Sequence, residues 1–209
     1  MNKNVNDFLD IVLEDCITNA VSPELYQYYQ GLKENKIIIN FPVTRQFVDY
    51  VIVPLLRMDN DPEVKHIEII LNCEGGSQLD GMYICNVIEN LKTPTTITVL
   101  GYAYSMAGYF LMAGYNNPNV TRRCYPYSTY LLHAGSLGVE GEAKTVKASM
   151  NFMELQDKYL RDFVISHSKI TPKEFKKMYA TETYLFADDM LKYGIVDYII
   201  GQEPKETEE

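Results

Sequence analysis

Long apolar runs are absent from this chain of 209 residues. A membrane-spanning helix needs about eighteen consecutive apolar residues, and no stretch approaches that length. Residues 1–8 also lack the apolar core of a signal peptide. We therefore expect a soluble, cytoplasmic protein with no membrane partner.

Basic clusters are absent as well. Nineteen Lys and Arg stand against 28 Asp and Glu, a formal net charge of −9. No group of basic residues could follow a phosphate backbone, so nucleic acid is not an expected partner. The sequence also has no Gly-x-x-x-x-Gly-Lys-Ser/Thr loop, which excludes a P-loop ATPase.

The four cysteines show no paired spacing of the kind that zinc sites use. One of them lies in a strand pattern and another in a helix pattern, so we expect buried, reduced thiols, no metal and no cofactor. They are Cys16, Cys73, Cys85 and Cys124.

Apolar patterns of strand and helix type alternate along the chain, which has 46% hydrophobic residues. This alternation predicts parallel βαβ units in an α/β fold, with one domain large enough to bury a core. The predicted strands are residues 36–40, 66–72, 95–100, 127–133, 183–186 and 195–200, with an irregular segment at 116–125.

Three predicted helices bear on the later argument. Residues 45–58 form one helix in which Pro54 is awkward, because an interior proline removes a backbone hydrogen bond. Residues 78–92 form a second, with Leu79 and Tyr83 facing inward. The longest, residues 143–168, carries two apolar stripes, which indicates two partners, one of them another subunit.

Ser105 lies where a β-branched strand meets a short apolar helix, residues 106–113. A rigid strand-to-helix turn holds a hydroxyl firmly, and the helix start supplies free N–H groups and a positive dipole end. These features suit an acyl-transfer nucleophile. A lone serine before an apolar helix is more often only an N-cap, so both interpretations stay open at this point.

Only three histidines are present, and His133 differs from the others by ending an apolar strand next to a glycine-rich loop. It is the candidate base, although a histidine at a strand end is also common in structural roles. Gly75 and Gly76 follow another predicted strand and allow backbone N–H groups to approach a ligand closely. They form a candidate oxyanion cradle.

Three segments together resemble a known family, the proteolytic subunit of the caseinolytic protease, ClpP. Residues 71–77 (Leu-Asn-Cys-Glu-Gly-Gly-Ser) are similar to its Ser-Pro-Gly-Gly turn, and residues 101–108 to its Gly-x-Ala-Ala-Ser-Met-Gly nucleophile segment. Residues 131–133 are similar to its Met-Ile-His strand. The resemblance runs from about residue 25 to 200 and implies a ClpP/crotonase-like fold with a protruding handle helix.

The resemblance also implies roles for site residues. Ser105 is the nucleophile, His133 the general base, and the N–H groups of Gly76 and Met106 the oxyanion hole. The third triad member is usually Asp in this family, and Glu182 stands at that position here. The family's proline before the two glycines is also replaced, by a glutamate. Asp188 and Asp189 compete with Glu182 but suit helix caps better.

The implied assembly is two heptameric rings, a tetradecamer that cleaves unfolded polypeptide delivered by an AAA+ unfoldase. Residues 1–20 form an extension with a short amphipathic helix, and residues 21–202 form the peptidase domain with the handle at about 135–168. Residues 203–209 form an acidic tail that we expect to be disordered.

Two alternatives remain beside this self-compartmentalising serine endopeptidase. One is a catalytically weak or inactive ClpP-like subunit that regulates an active protease, because Glu182 replaces Asp and the loops differ. The other is a crotonase-type acyl-CoA enzyme with the same fold, which would not need the pair of Ser105 and His133.

Overall fold

A computed structural model of the protein describes residue 14, residues 22–135 and residues 138–202. The predicted extension of residues 1–20 and its amphipathic helix lie outside the described residues, apart from Glu14, which is helical and exposed. The acidic tail of residues 203–209 lies outside them too. None of the helices within the described ranges has the length and apolar character needed to cross a membrane.

The chain first forms helix α1 (Pro23–Lys33) and strand β1 (Lys36–Ile39). The Ser22 hydroxyl caps α1 by accepting the N–H of Leu25 at 3.3 Å, as a Ser-Pro start predicts.

The helix predicted over residues 45–58 is present from residue 47, but it is not a regular α-helix throughout. A π-helical turn (Val48–Ile52) leads instead into helix α2 (Val53–Asp59). Pro54 is the second residue of α2 and follows the π-helical turn directly. A proline has no N–H to donate, and the irregular turn stands where the regular bonding pattern would be interrupted.

The central part of the chain alternates strands and helices. The elements are β2 (Ile67–Cys73), α3 (Gln78–Glu89), β3 (Thr95–Tyr104), α4 (Met106–Ala113), β4 (Val120–Cys124) and β5 (Thr129–Leu132).

Strand β4 occupies a segment that the sequence predicted to be irregular. The prediction failed because β4 contains a buried charge, Arg122, which is only 3% exposed. Its guanidinium pairs with Asp197 and donates to the carbonyl oxygen of Gly194 at 2.8 Å. A distant carboxylate therefore allows a polar sequence to enter the sheet.

The C-terminal part contains the long helix α5 (Ala143–Ser166), helix α6 (Pro172–Tyr179) and strand β6 (Thr183–Phe186), followed by helix α7 (Ala187–Lys192) and strand β7 (Tyr198–Ile199). A reciprocal capping box of Thr171 and Glu174 starts α6, as the sequence predicts.

Among the described residues, seven strands form one sheet, and the predicted α/β fold is confirmed. Five of them lie in the order β1-β2-β3-β4-β7, while β5 pairs with β3 and β6 pairs with β5. All pairs are parallel except that of β5 with β6. The first part of β3 pairs with β2 and β4, while residues 102–104 pair with β5. The C-terminal ends of β2, β3 and β5 therefore meet at one edge of the sheet.

Several apolar side chains remain on the surface. Helix α3 buries its face at Gly81, Ile84 and Ile88, so the prediction that Leu79 and Tyr83 face inward is wrong. Both are more than half exposed, at 54% and 53%. On α5, four further large side chains are exposed, namely Met150, Phe152, Leu155 and Tyr159.

Candidate active site

Ser105 joins β3 to α4 in a backbone conformation that few non-glycine residues adopt. Its φ is +53° and its ψ is −125°. Such a conformation persists only where the surroundings impose it. Here the Ser105 N–H donates to the carbonyl oxygen of Leu131 in β5 at 2.9 Å, and every residue of α4 is buried. The serine is thus half-buried on a sharp turn that its neighbours hold rigid, the geometry of a nucleophile elbow.

The turn of Gly75 and Gly76 packs directly against this elbow. Their φ values are +90° and +144°, which favour glycine. A Cβ added at Gly75 would lie 2.9 Å from both the Ser105 Cβ and the Met106 nitrogen. The structure therefore brings Gly75, Ser105 and Met106 together, and only glycine fits at the first of these positions.

Val43 fixes the direction of the turn from the other side. Its N–H donates to the carbonyl oxygen of Gly75, and its own carbonyl oxygen accepts the N–H of Ser77, both at 2.8 Å. Since a trans peptide unit is planar, the Gly76 N–H points opposite to the Gly75 carbonyl and so away from Val43.

Two backbone donors remain available at this turn. Within the described ranges, no hydrogen-bond acceptor is paired with the N–H of Gly76 or Met106. The N–H of Met106 is one of the groups that every helix start leaves unpaired. Such a pair of donors suits an oxyanion.

A shift in strand pairing just before the turn was not predicted from the sequence. Leu71 pairs with Val99, but Cys73 pairs with Ala103, so β3 is locally longer than β2. The Asn72 side chain fills the irregularity by accepting the N–H of Tyr102 at 3.3 Å. This shift brings the end of β3, and with it the elbow, level with the glycine turn.

His133 and Glu182 lie opposite each other on neighbouring strands. His133 follows β5 and Glu182 precedes β6, and the adjacent residues Leu132 and Thr183 are an antiparallel pair. The His133 Nδ1 and the Glu182 Oε1 are 3.7 Å apart. The hydrogen bond that a triad acid would make with His133 is not formed at this distance. The reason is that the Glu182 side chain extends into solvent, with 65% of it exposed.

The competing carboxylates belong to a different element. Asp188 and Asp189 lie in the first turn of α7, where negative charge stabilises a helix. Their position agrees with the helix-start interpretation.

Tyr179 connects the segments around His133 and Glu182. It ends α6 three residues before Glu182, and its hydroxyl donates to Asp157 of α5 at 3.0 Å. The backbone N–H of Gly135, two residues after His133, favours the deprotonated form of this hydroxyl, but this effect on its pKa is smaller than those that raise it. Burial, followed by the bond to Asp157, raises the pKa of Tyr179 to about 12, so the hydroxyl stays protonated at neutral pH.

No group of three or more His, Cys, Asp or Glu that could hold a metal ion occurs in the part of the chain that the structure describes. The three cysteines in that part are free and buried, namely Cys73, Cys85 and Cys124.

The comparisons with known proteins agree with this architecture. A family profile described as Clp protease matches residues 21–203, which is most of the chain. The ATP-dependent Clp protease proteolytic subunit of Deinococcus radiodurans is 27% identical over 176 residues, covering 84% of each chain. The chain belongs to the Clp protease family.

Proposed function

We propose that this protein is a serine endopeptidase that cleaves unfolded polypeptides through an acyl-enzyme at Ser105. The strained turn at Ser105 carries the proposal, because it presents a hydroxyl beside two available N–H donors. The pair of His133 and Glu182 at the same edge of the sheet supports it. Membership of the Clp protease family supports peptide hydrolysis over acyl-CoA chemistry.

In the first step His133 Nε2 takes the proton of the Ser105 hydroxyl as the oxygen attacks the peptide carbonyl carbon. The carbonyl oxygen becomes an oxyanion, which the N–H groups of Gly76 and Met106 stabilise. The imidazolium then gives its proton to the departing amine, and the peptide C–N bond breaks. Ser105 is left as an ester of the N-terminal part of the substrate.

In the second step water attacks the ester, with His133 again as the base. The acid product leaves and the Ser105 hydroxyl is restored. Glu182 orients His133 through Nδ1 and stabilises its charged form. For that role the 3.7 Å contact must shorten to a hydrogen bond in the working enzyme.

Assembly into a ring is the second part of the proposal. Helices α3 and α5 expose several large apolar side chains, and an exposed apolar patch is typical of a surface that contacts another protein. Fourteen copies of a 24.0 kDa chain would give a particle of roughly 340 kDa. Light scattering that shows a monomer stable to dilution would contradict this part.

Dependence on an ATPase follows from the assembly. A closed chamber excludes folded proteins, and the sequence has no P-loop of its own. We therefore propose that an AAA+ unfoldase delivers unfolded chains. Rapid digestion of a folded protein by the isolated, full-length chain would contradict a gated chamber.

One observation favours a second candidate, a catalytically weak subunit that regulates an active protease. Glu182 is largely exposed and does not reach hydrogen-bonding distance of His133. The two functions are separated by measuring hydrolysis of a short fluorogenic peptide by the assembled protein and by its Ser105→Ala variant. Turnover that Ser105→Ala abolishes supports the peptidase, whereas equal background rates support the regulatory subunit.

A further inference from the structure

The thiol of Cys73 connects the glycine turn to the loop that precedes Val43. Cys73 is the last residue of β2 and is 1% exposed. Its Sγ accepts the N–H of Gly75 at 3.3 Å and donates to the carbonyl oxygen of Phe41 at 3.1 Å. One side chain thus satisfies a buried donor and an acceptor from two separate segments.

The protonation state of the thiol fits both bonds. Burial raises the pKa of Cys73 above its ordinary value, and this effect is larger than the opposing effect of the Gly75 N–H. At neutral pH the group is therefore an S–H, which can donate to Phe41 while its sulfur accepts from Gly75.

Together with Val43, this thiol holds both peptide units on either side of Gly75. Cys73 binds the N–H of Gly75, and Val43 binds its carbonyl oxygen at 2.8 Å. Because the second of these units contains the Gly76 N–H, its direction depends on the two contacts. Phe41 lies two residues before Val43. The bond from the Cys73 thiol to Phe41 therefore links the segment of Val43 to the thiol that binds the Gly75 N–H.

We propose that Cys73 is a positioning residue whose thiol fixes the glycine turn and so aims the Gly76 N–H at the position of the oxyanion. Its effect on catalysis rests on the proposed peptidase function. Its effect on the turn does not.

The first test compares Cys73→Ala, which removes both bonds, with Cys73→Ser, which keeps a donor and an acceptor. Cys124→Ala is the matched control, because Cys124 is also a buried last residue of a parallel strand. We expect Cys73→Ala to lower kcat for a short peptide by about 10- to 100-fold with little change in KM, less than the full loss of an oxyanion donor. Affinity for a peptide aldehyde, which forms a tetrahedral adduct, should fall in parallel, and Cys73→Ser should recover most of both.

The second test does not need activity. Hydrogen exchange read by mass spectrometry on a peptide covering residues 74–77 should show faster exchange in Cys73→Ala than in Cys73→Ser or Cys124→Ala. If Cys73→Ala is unstable, Cys73→Val fills the space without either bond and should behave in the same way. Unchanged exchange in a folded variant that lacks the thiol would overturn the proposal, whatever the activity. Faster exchange in a protein whose wild type cleaves nothing would support the role of Cys73 and reject the peptidase function.

Discussion

Ser105 lies on a turn enclosed by buried elements, whereas His133 and Glu182 lie just beyond the ends of two short strands near the surface. The Ser105 side is held by a backbone hydrogen bond to Leu131 and by the glycine turn packed against it. On the other side, 28% of the His133 side chain and 65% of that of Glu182 are exposed. The candidate site therefore combines a firmly held half with a loosely held half.

This difference indicates what one chain supplies by itself. A strained serine conformation requires a preformed core, and α4 and the glycine turn provide it within one subunit. A contact between two exposed ionisable side chains contributes little unless its geometry is fixed by something else. We call His133 and Glu182 the base and acid side, and we infer that substrate or a neighbouring subunit fixes its geometry. The substitutions below test that inference.

The largest effect is expected for His133→Ala. Removing the base of such a triad lowers kcat by about 10⁶-fold, and removing the nucleophile as well adds little, because the two act as one unit. We expect Ser105→Ala, His133→Ala and the double variant to show similar residual rates of peptide hydrolysis. The control is His66→Ala, an exposed histidine before β2, which should keep full activity. Multiplicative losses in the double variant would contradict a shared step.

Glu182→Gln should have the next largest effect. Replacing the triad carboxylate with its amide lowers kcat by about 10⁴-fold elsewhere, while folding is preserved. Asp188→Asn, on the first turn of α7, is the matched control and should leave turnover unchanged. The opposite result, with Asp188→Asn impaired and Glu182→Gln active, would assign the acid to α7.

On the firmly held side, Gly75→Ala should reduce turnover by about 10²- to 10³-fold through misplaced oxyanion donors. The added Cβ would lie 2.5 Å from the Tyr104 carbonyl oxygen and 2.9 Å from the Ser105 Cβ. Gly138→Ala is the matched control, since a Cβ there meets nothing within 4 Å. Thermal denaturation of both variants separates lost catalysis from lost folding, and a fully active Gly75→Ala would show that the turn is not so confined.

The smallest effect is expected at a helix cap. Thr171→Ala removes the cap of α6, which leads to the Glu182 segment, and should lower the free energy of unfolding by about 1 kcal/mol. Ser22→Ala removes the cap of α1 and should have a similar effect on stability. If α6 supports the base and acid side, only Thr171→Ala should also lower turnover, measured as kcat on the same peptide. Equal kcat in both variants would show that α6 does not support the candidate site.

Features that depend on neighbouring residues were predictable from the sequence. The Ser-Pro start of α1, the capping box of α6 and the short buried helix after Ser105 all follow from a few adjacent side chains. The same is true of the glycine turn, since two glycines after a strand already indicate a special backbone.

Features that depend on distant partners were not predictable in this way. Strand β4 was missed because the burial of Arg122 requires Asp197, far along the chain. The wrong face was assigned to α3 because its contact with α4 is made at a glycine, which an apolar pattern does not reveal. A Cβ at Gly81 would collide with the Met106 side chain, so Gly81 lies at that contact. The 3.7 Å separation of His133 and Glu182 depends on a side-chain conformation at the surface, which sequence patterns do not specify.

The central claim is that Ser105 is an activated nucleophile, and its reaction with a fluorophosphonate tests this most directly. Intact mass should show one adduct per chain on the folded, assembled protein, and peptide mapping should place that adduct on Ser105. The Ser105→Ala variant should take up none, whereas Ser166→Ala, at an exposed serine at the end of α5, should react like the wild type. An unmodified Ser105 in a folded, assembled sample, or an adduct on another serine, would contradict the account.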